Sequence, residues 1–90
     1  LKTYRCLLLE EDIDNFLDEI VLKVKEERVK RNISQLALAQ ILGHKSPNYI
    51  AKIETRKHNV SYNLSHLYKI AYEFGIEVTD LIPHIQDSQK

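Results

Sequence analysis

Between Ser46 and Glu54 the chain reads S-P-N-Y-I-A-K-I-E, and four of these side chains, Ser46, Asn48, Tyr49 and Lys52, could do recognition chemistry. Asn48, Tyr49 and Lys52 lie on the side away from Ile50 and Ile53, so a helix here would be apolar on one side and polar on the other. An α-helix fits the major groove of duplex DNA, and side chains near the start of such a helix reach base edges. Asn48 is the best candidate for direct readout, because its amide can donate to and accept from adenine N6 and N7 together. Lys52 can reach a guanine or a phosphate, and Ser46 completes the base-reading set. Tyr49 has two readings: it offers its hydroxyl to a phosphate and its ring edge to a thymine methyl, or it packs against the domain. Lys45, Arg56, Lys57 and His58 flank the segment and are the expected phosphate contacts, which orient a protein on DNA without reading sequence. Plain solvation is the competing reading for one or two of those four.

These residues need a frame, and the sequence supplies its signals. Ser46 reads as a helix cap and Pro47 as the first helical residue, which needs no N–H and suits a fixed φ. Upstream, Ser34 can cap another short helix by accepting from the N–H near Ala37. The apolar run Leu38, Ala39, Ile41 and Leu42 follows until Gly43 stops it. Two short helices joined by a tight turn are the grammar of a helix-turn-helix. A longer helix precedes them, with Glu10, Glu11 and Asp12 at its start, Asp12 as the expected cap, and an end near Arg31. Its stripe of Ile13, Phe16, Leu17, Ile20, Val21 and Val24 is read as core packing in preference to a subunit interface. Tyr4 to Leu9 is apolar and uncapped, read as an extended strand over 4–9 or the lead-in to a helix. After a polar loop, Asn63 caps a fourth helix through Phe74, closed by Gly75, with Leu64, Leu67, Ile70, Ala71 and Phe74 facing inward. A short fifth helix from Val78 to Ile82 ends at Pro83, and 84–90 form a tail without strong pattern.

The 90 residues carry no net charge, which at first argues against a polyanionic partner. The distribution argues otherwise. Residues 1–22 have a net charge of −4, residues 23–57 have nine basic and three acidic side chains for a net of +6, and residues 58–90 have a net of −2. The basic block coincides with the helix-turn-helix, as an electrostatic footprint for phosphates requires. Ninety residues make one domain, near the lower end of what folds on a hydrophobic core. The expected organisation is an extension over 1–22, a DNA-binding domain over 23–83 and the tail. The lone Cys6 excludes an intrachain disulfide framework and suits a reducing cytoplasm. No run is apolar enough to span a membrane, and no secretory signal pattern is present. The sequence begins at Leu1 and not Met, so residues upstream are expected. His44, His58, His66 and His84 lack metal-ligand spacing, and no phosphate loop or nucleophile elbow appears, so neither an enzyme nor a cofactor is expected.

With these elements in order, the chain resembles the lambda-repressor-like, or XRE, family of helix-turn-helix regulators. The resemblance spans roughly Val21 to Ile82. It rests on Arg28, then Ser34, Gln35, Leu38 and Ala39, then Ile50, Ile53 and Glu54, and finally Leu67, Lys69, Ile70, Ala71, Phe74, Gly75 and Ile76. It implies an all-α, five-helix bundle, here with an N-terminally extended first helix. It further implies a phosphate anchored at Gln35, a structural salt bridge between Arg28 and Glu54, and two-fold homodimers on double-stranded operator DNA. A repressor is the expected role. The alternative is an antitoxin that binds a toxin protein as well as its own operator. The dimerising surface is expected in the extension from Tyr4 to Leu17 or, second, around the fifth helix and Ile85.

The chain departs from the family pattern in three places. Thr55 and Arg56 replace the usual Asn-Gly, so the turn after the recognition helix must be made without glycine's access to positive φ. His44 and Lys45 sit in a turn one residue longer than common. Leu36 and Ala37 replace residues that are usually polar, which suggests that something covers Leu36.

Overall fold

A computed structural model describes residues 10–85 of the chain. Its helices are α1 (Glu10–Lys30), α2 (Gln35–Ile41), α3 (Asn48–Glu54) and α4 (Leu64–Phe74), with 3-10 turns at Lys57–Asn59 and Val78–Leu81. No strand occurs among the described residues, and the fold class is all-α. The strand expected over 4–9 lies outside them.

Each helix is bounded by chemistry within three or four residues of its end. Glu10, Glu11 and Asp12 occupy the first turn of α1, with Arg28 and Lys30 in the last, both favoured by the helix dipole. Asp12 therefore lies inside the helix and does not cap it, because acidic charge stabilises the whole first turn without the extended backbone that a cap requires. α1 ends with Asn32 at φ 57°. Asn32 N–H donates to the Val29 carbonyl and Ile33 N–H to the Arg28 carbonyl, both at 3.0 Å. That paired closure repeats after α2, where Gly43 takes φ 87° while Gly43 and His44 donate to the carbonyls of Gln40 and Ala39. Ser34 Oγ accepts from Ala37 N–H at 3.0 Å and starts α2.

The fifth element differs from expectation. It is a 3-10 turn ending at Leu81, not a helix to Ile82. Pro83 is the reason: the residue before a proline is driven out of the helical region, and Ile82 sits at φ −115°, ψ 123°. Asp80 holds the turn by accepting from the Glu77 N–H at 3.0 Å.

The core forms where four helices and this last turn meet. Val24, Leu38, Ile50, Ile53, Leu67, Ile70 and Leu81 are its fully buried large side chains. From Phe16 onward the α1 stripe packs on that core, whereas Ile13 is 40% exposed. Leu64, expected to face inward, is 73% exposed.

Tyr62 is also in the core, with its hydroxyl buried and without a hydrogen-bond partner among the described residues. Burial pushes that hydroxyl well above the usual tyrosine range, and the charge of Glu54 adds to the shift. A buried unpaired hydroxyl costs free energy. Tyr62→Phe is therefore expected to leave stability unchanged or raise it by about 1 kcal/mol, measured as the midpoint of urea unfolding.

Candidate nucleic-acid interface

α3 is a short helix with one side locked into the core and the other open. Ile50 and Ile53 are 0% and 1% exposed, while Asn48 and Lys52, one turn apart, face solvent. Ser46 Oγ accepts from the Asn48 N–H at 3.1 Å. Pro47 already has helical angles, φ −68° and ψ −14°. Ser46 thus acts as the chemical cap and Pro47 as the first helical residue, one position ahead of the nominal helix start. The Asn48 amide and the Lys52 ammonium have no partner among the described residues, so both are available to a ligand.

The tilt of α3 is set by an ion pair at its far end. Arg28 Nε and Nη2 donate to Glu54 Oε2 and Oε1 at 2.8 and 3.1 Å, and Arg28 Nη1 reaches the Ile33 carbonyl at 2.8 Å. The two side chains are only 11% and 4% exposed. This planar fork fixes distance and angle together. Gln35 Nε2 joins it, donating to Glu54 Oε1 at 2.9 Å. The amide of Gln35 is thereby oriented, and the bond uses one of its two N–H donors.

Tyr49 is half-buried in a ring stack. It lies flat on His44, with centroids 3.8 Å apart at 16°, and meets His66 edge-on at 5.9 Å. His66 in turn meets Tyr62 edge-on at 6.2 Å. The turn after α2 thus places His44 as a plate against Tyr49 of α3.

His66 also closes the start of α4. Asn63 Oδ1 accepts from His66 N–H at 2.8 Å, and His66 Nδ1 accepts from Asn63 N–H at 3.3 Å. Nδ1 must be unprotonated to accept, so the proton of the neutral ring sits on Nε2. Burial lowers the His66 pKa below the usual 6.5, and the facing charges of His44 and Lys69 lower it further. The unfolded chain therefore binds the proton more readily. The stability contributed is complete above pH ~6.5 and is lost as pH falls through the lower, folded value. Thermal melts should show a loss of stability from pH 7 to pH 5 that is smaller in His66→Gln, since Gln can serve the same reciprocal cap without titrating.

The basic block is partly committed to the fold. Arg56 Nε donates to Asp18 Oδ1 at 2.6 Å, and its Nη1 donates to the Val60 carbonyl. Arg56 itself takes φ 56°. The turn after α3, expected to do without positive φ, thus adopts it at Arg56 in place of a glycine, with a side chain tied to α1 offsetting the strain. Glu27 accepts from Arg31 Nη1 at 2.6 Å, and that bond, with Lys30 nearby, holds its carboxyl below the usual range against the effect of burial. The Arg31 guanidinium lies 4.8 Å over the Phe74 ring. Lys45, Lys52 and Lys57 remain exposed and make no ion pair among the described residues. The side chain of His58 lies outside the described residues.

Sequence reasoning does not single out Asp18, His66 or Tyr62, nor the stacking role of His44. Only His66 carries a usable signal, the three-residue spacing from Asn63 that a reciprocal cap needs. Among the described residues no three His, Cys, Asp or Glu side chains are grouped to hold a metal, and no helix is long and apolar enough to cross a membrane.

A capped short helix, a glycine-closed turn and a second helix with an open polar face define a helix-turn-helix DNA-binding domain. The family model for helix-turn-helix domains matches residues 24–81, and the chain belongs to that family, of the XRE, lambda-repressor-like type. Members are DNA-binding regulators of transcription and not enzymes. Comparison with curated proteins and with solved structures gives no match.

Proposed function

We propose that the chain is a sequence-specific repressor that inserts residues 46–54 into the major groove of its operator as a homodimer. One observation carries this reading: Asn48 and Lys52 stand uncommitted on the open face of a helix whose other face and far end are fixed by the core and by the Arg28–Glu54 fork. A side chain without intramolecular partners on a rigid element can exchange water for a base edge at little reorganisation cost. Lys45 and Lys57 flank that helix as phosphate contacts, with Gln35 at the start of α2. A DNA partner and a lone cysteine suit the cytoplasm.

The test is fluorescence anisotropy with the duplex upstream of its own gene against random duplex, over a salt series. Specific binding should exceed random binding by roughly 10³-fold or more and weaken steeply with salt. Equal, weak binding to every duplex would overturn the reading. A second reading, an antitoxin, draws on the exposed acidic residues Glu10, Glu11 and Glu19, which precede the family match. Co-expression with the product of an adjacent gene, followed by co-purification that fails in a charge-reversed α1, is its test.

A further inference from the structure

We propose that the outer face of α4 is the homodimer interface, pairing with a second copy of this chain across a two-fold axis near Tyr68. The inference rests on the operator-binding reading above and assigns it a surface. Leu64, Tyr68 and Tyr72 recur at every fourth residue and are 73%, 65% and 75% exposed. On the helix this stripe continues the arc that buries Leu67 and Ala71, so α4 is apolar over more than half its circumference while the fold covers only part of it. Such large apolar side chains standing together mark an interaction face, whereas scattered ones do not.

The occupant follows from symmetry, area and spacing. Two α4 helices packed antiparallel about Tyr68 set Leu64 against Tyr72 of the other copy at both ends, with the two Tyr68 rings meeting at the centre. The face is thus complementary to itself, as a two-fold interface must be. It is also uncharged, and the neighbouring Lys69 and Glu73 balance each other. Two tyrosines and a leucine at these exposures offer roughly 400 Å² per copy. With their surroundings this approaches the ~1,200 Å² at the low end of stable interfaces, which fits a reversible dimer completed on DNA.

The spacing agrees with the operator geometry. His66 lies about 160° round the helix from Tyr68, and Tyr49 of the recognition helix touches His66 at a centroid distance of 5.9 Å. His66 therefore lies on the side of each α4 away from the two-fold axis, where Tyr49 of α3 meets it. With the α4 axes 8–10 Å apart, this contact allows the two Tyr49 rings to lie up to roughly 30 Å from each other. Half-sites one turn apart on DNA are separated by about 34 Å.

The test is sedimentation equilibrium of the chain and of Tyr68→Arg, with binding of each to a half-site and to a palindromic duplex. The wild-type chain should dimerise reversibly. Tyr68→Arg should raise the dimer dissociation constant by about 100-fold, with an unchanged circular-dichroism spectrum and unchanged half-site affinity but no cooperativity on the palindrome. Leu64→Ser, at a position equally open, should weaken the dimer in the same direction and guards against misfolding of the first variant. The proposal is overturned if the two variants dimerise like wild type, or if the wild-type chain stays monomeric both free and on the palindrome. If dimers form and respond to the variants while no duplex is bound specifically, the operator reading fails and the interface stands.

Discussion

Arg28→Met should destabilise the domain by about 3–5 kcal/mol, read as a fall in the urea midpoint without a change in slope. The reason is what it leaves behind. Glu54 has 4% of its side chain exposed and takes two hydrogen bonds from Arg28. Without them it keeps only the Gln35 amide, far too little to offset the desolvation of a carboxylate. The Ile33 carbonyl at the α1 closure loses its guanidinium donor as well. A small domain holds only ~5–15 kcal/mol in total, so this variant should approach unfolding. The double variant Arg28→Met/Glu54→Met should recover most of the loss, because no charge remains buried. If the single and double variants are equally destabilised, the cost lies in poorer packing and the ion pair is not what matters. The double variant also separates stability from function. It should fold yet bind DNA less selectively, since two methionines fill space without the planar fork that fixes the angle of α3.

The helices were legible because their ends are local events. Ser34, Ser46, Asn63, Gly43 and Gly75 act on backbone groups within a few residues, and each does so in the fold. Leu64 shows the limit of periodicity. Counting by three and four puts it beside the buried arc of α4, but the fold covers only Leu67, Ile70, Ala71 and Phe74. Which edge of an apolar arc is covered depends on the neighbouring helices, and the helix's own sequence does not contain that information. Arg56 shows the same limit for charge. Its guanidinium is held by Asp18, 38 residues earlier, and no local rule pairs them. The ring contacts of Tyr49 with His44 and His66 likewise join residues that no local rule pairs.

Asn48→Ala and Lys52→Ala should separate base reading from phosphate binding without disturbing the fold. Both side chains are exposed and unpaired, so each substitution should shift stability by no more than ~0.5 kcal/mol. On the operator, Asn48→Ala should cost about 1–3 kcal/mol per half-site, and in a dimer the loss counts twice. Random duplex should bind as before, because removing an amide from a base edge leaves every phosphate neighbour in place. Lys52 has two partners open to it, and the salt series distinguishes them. If Lys52 meets a phosphate, its truncation weakens operator and random duplex alike and lowers the salt slope by about one per site. If it meets a guanine, truncation instead lowers the ratio of operator to random binding, as for Asn48. An unchanged ratio in Asn48→Ala, with the fold intact, would mean that α3 does not read bases through its open face, and sequence selection would have to come from DNA shape.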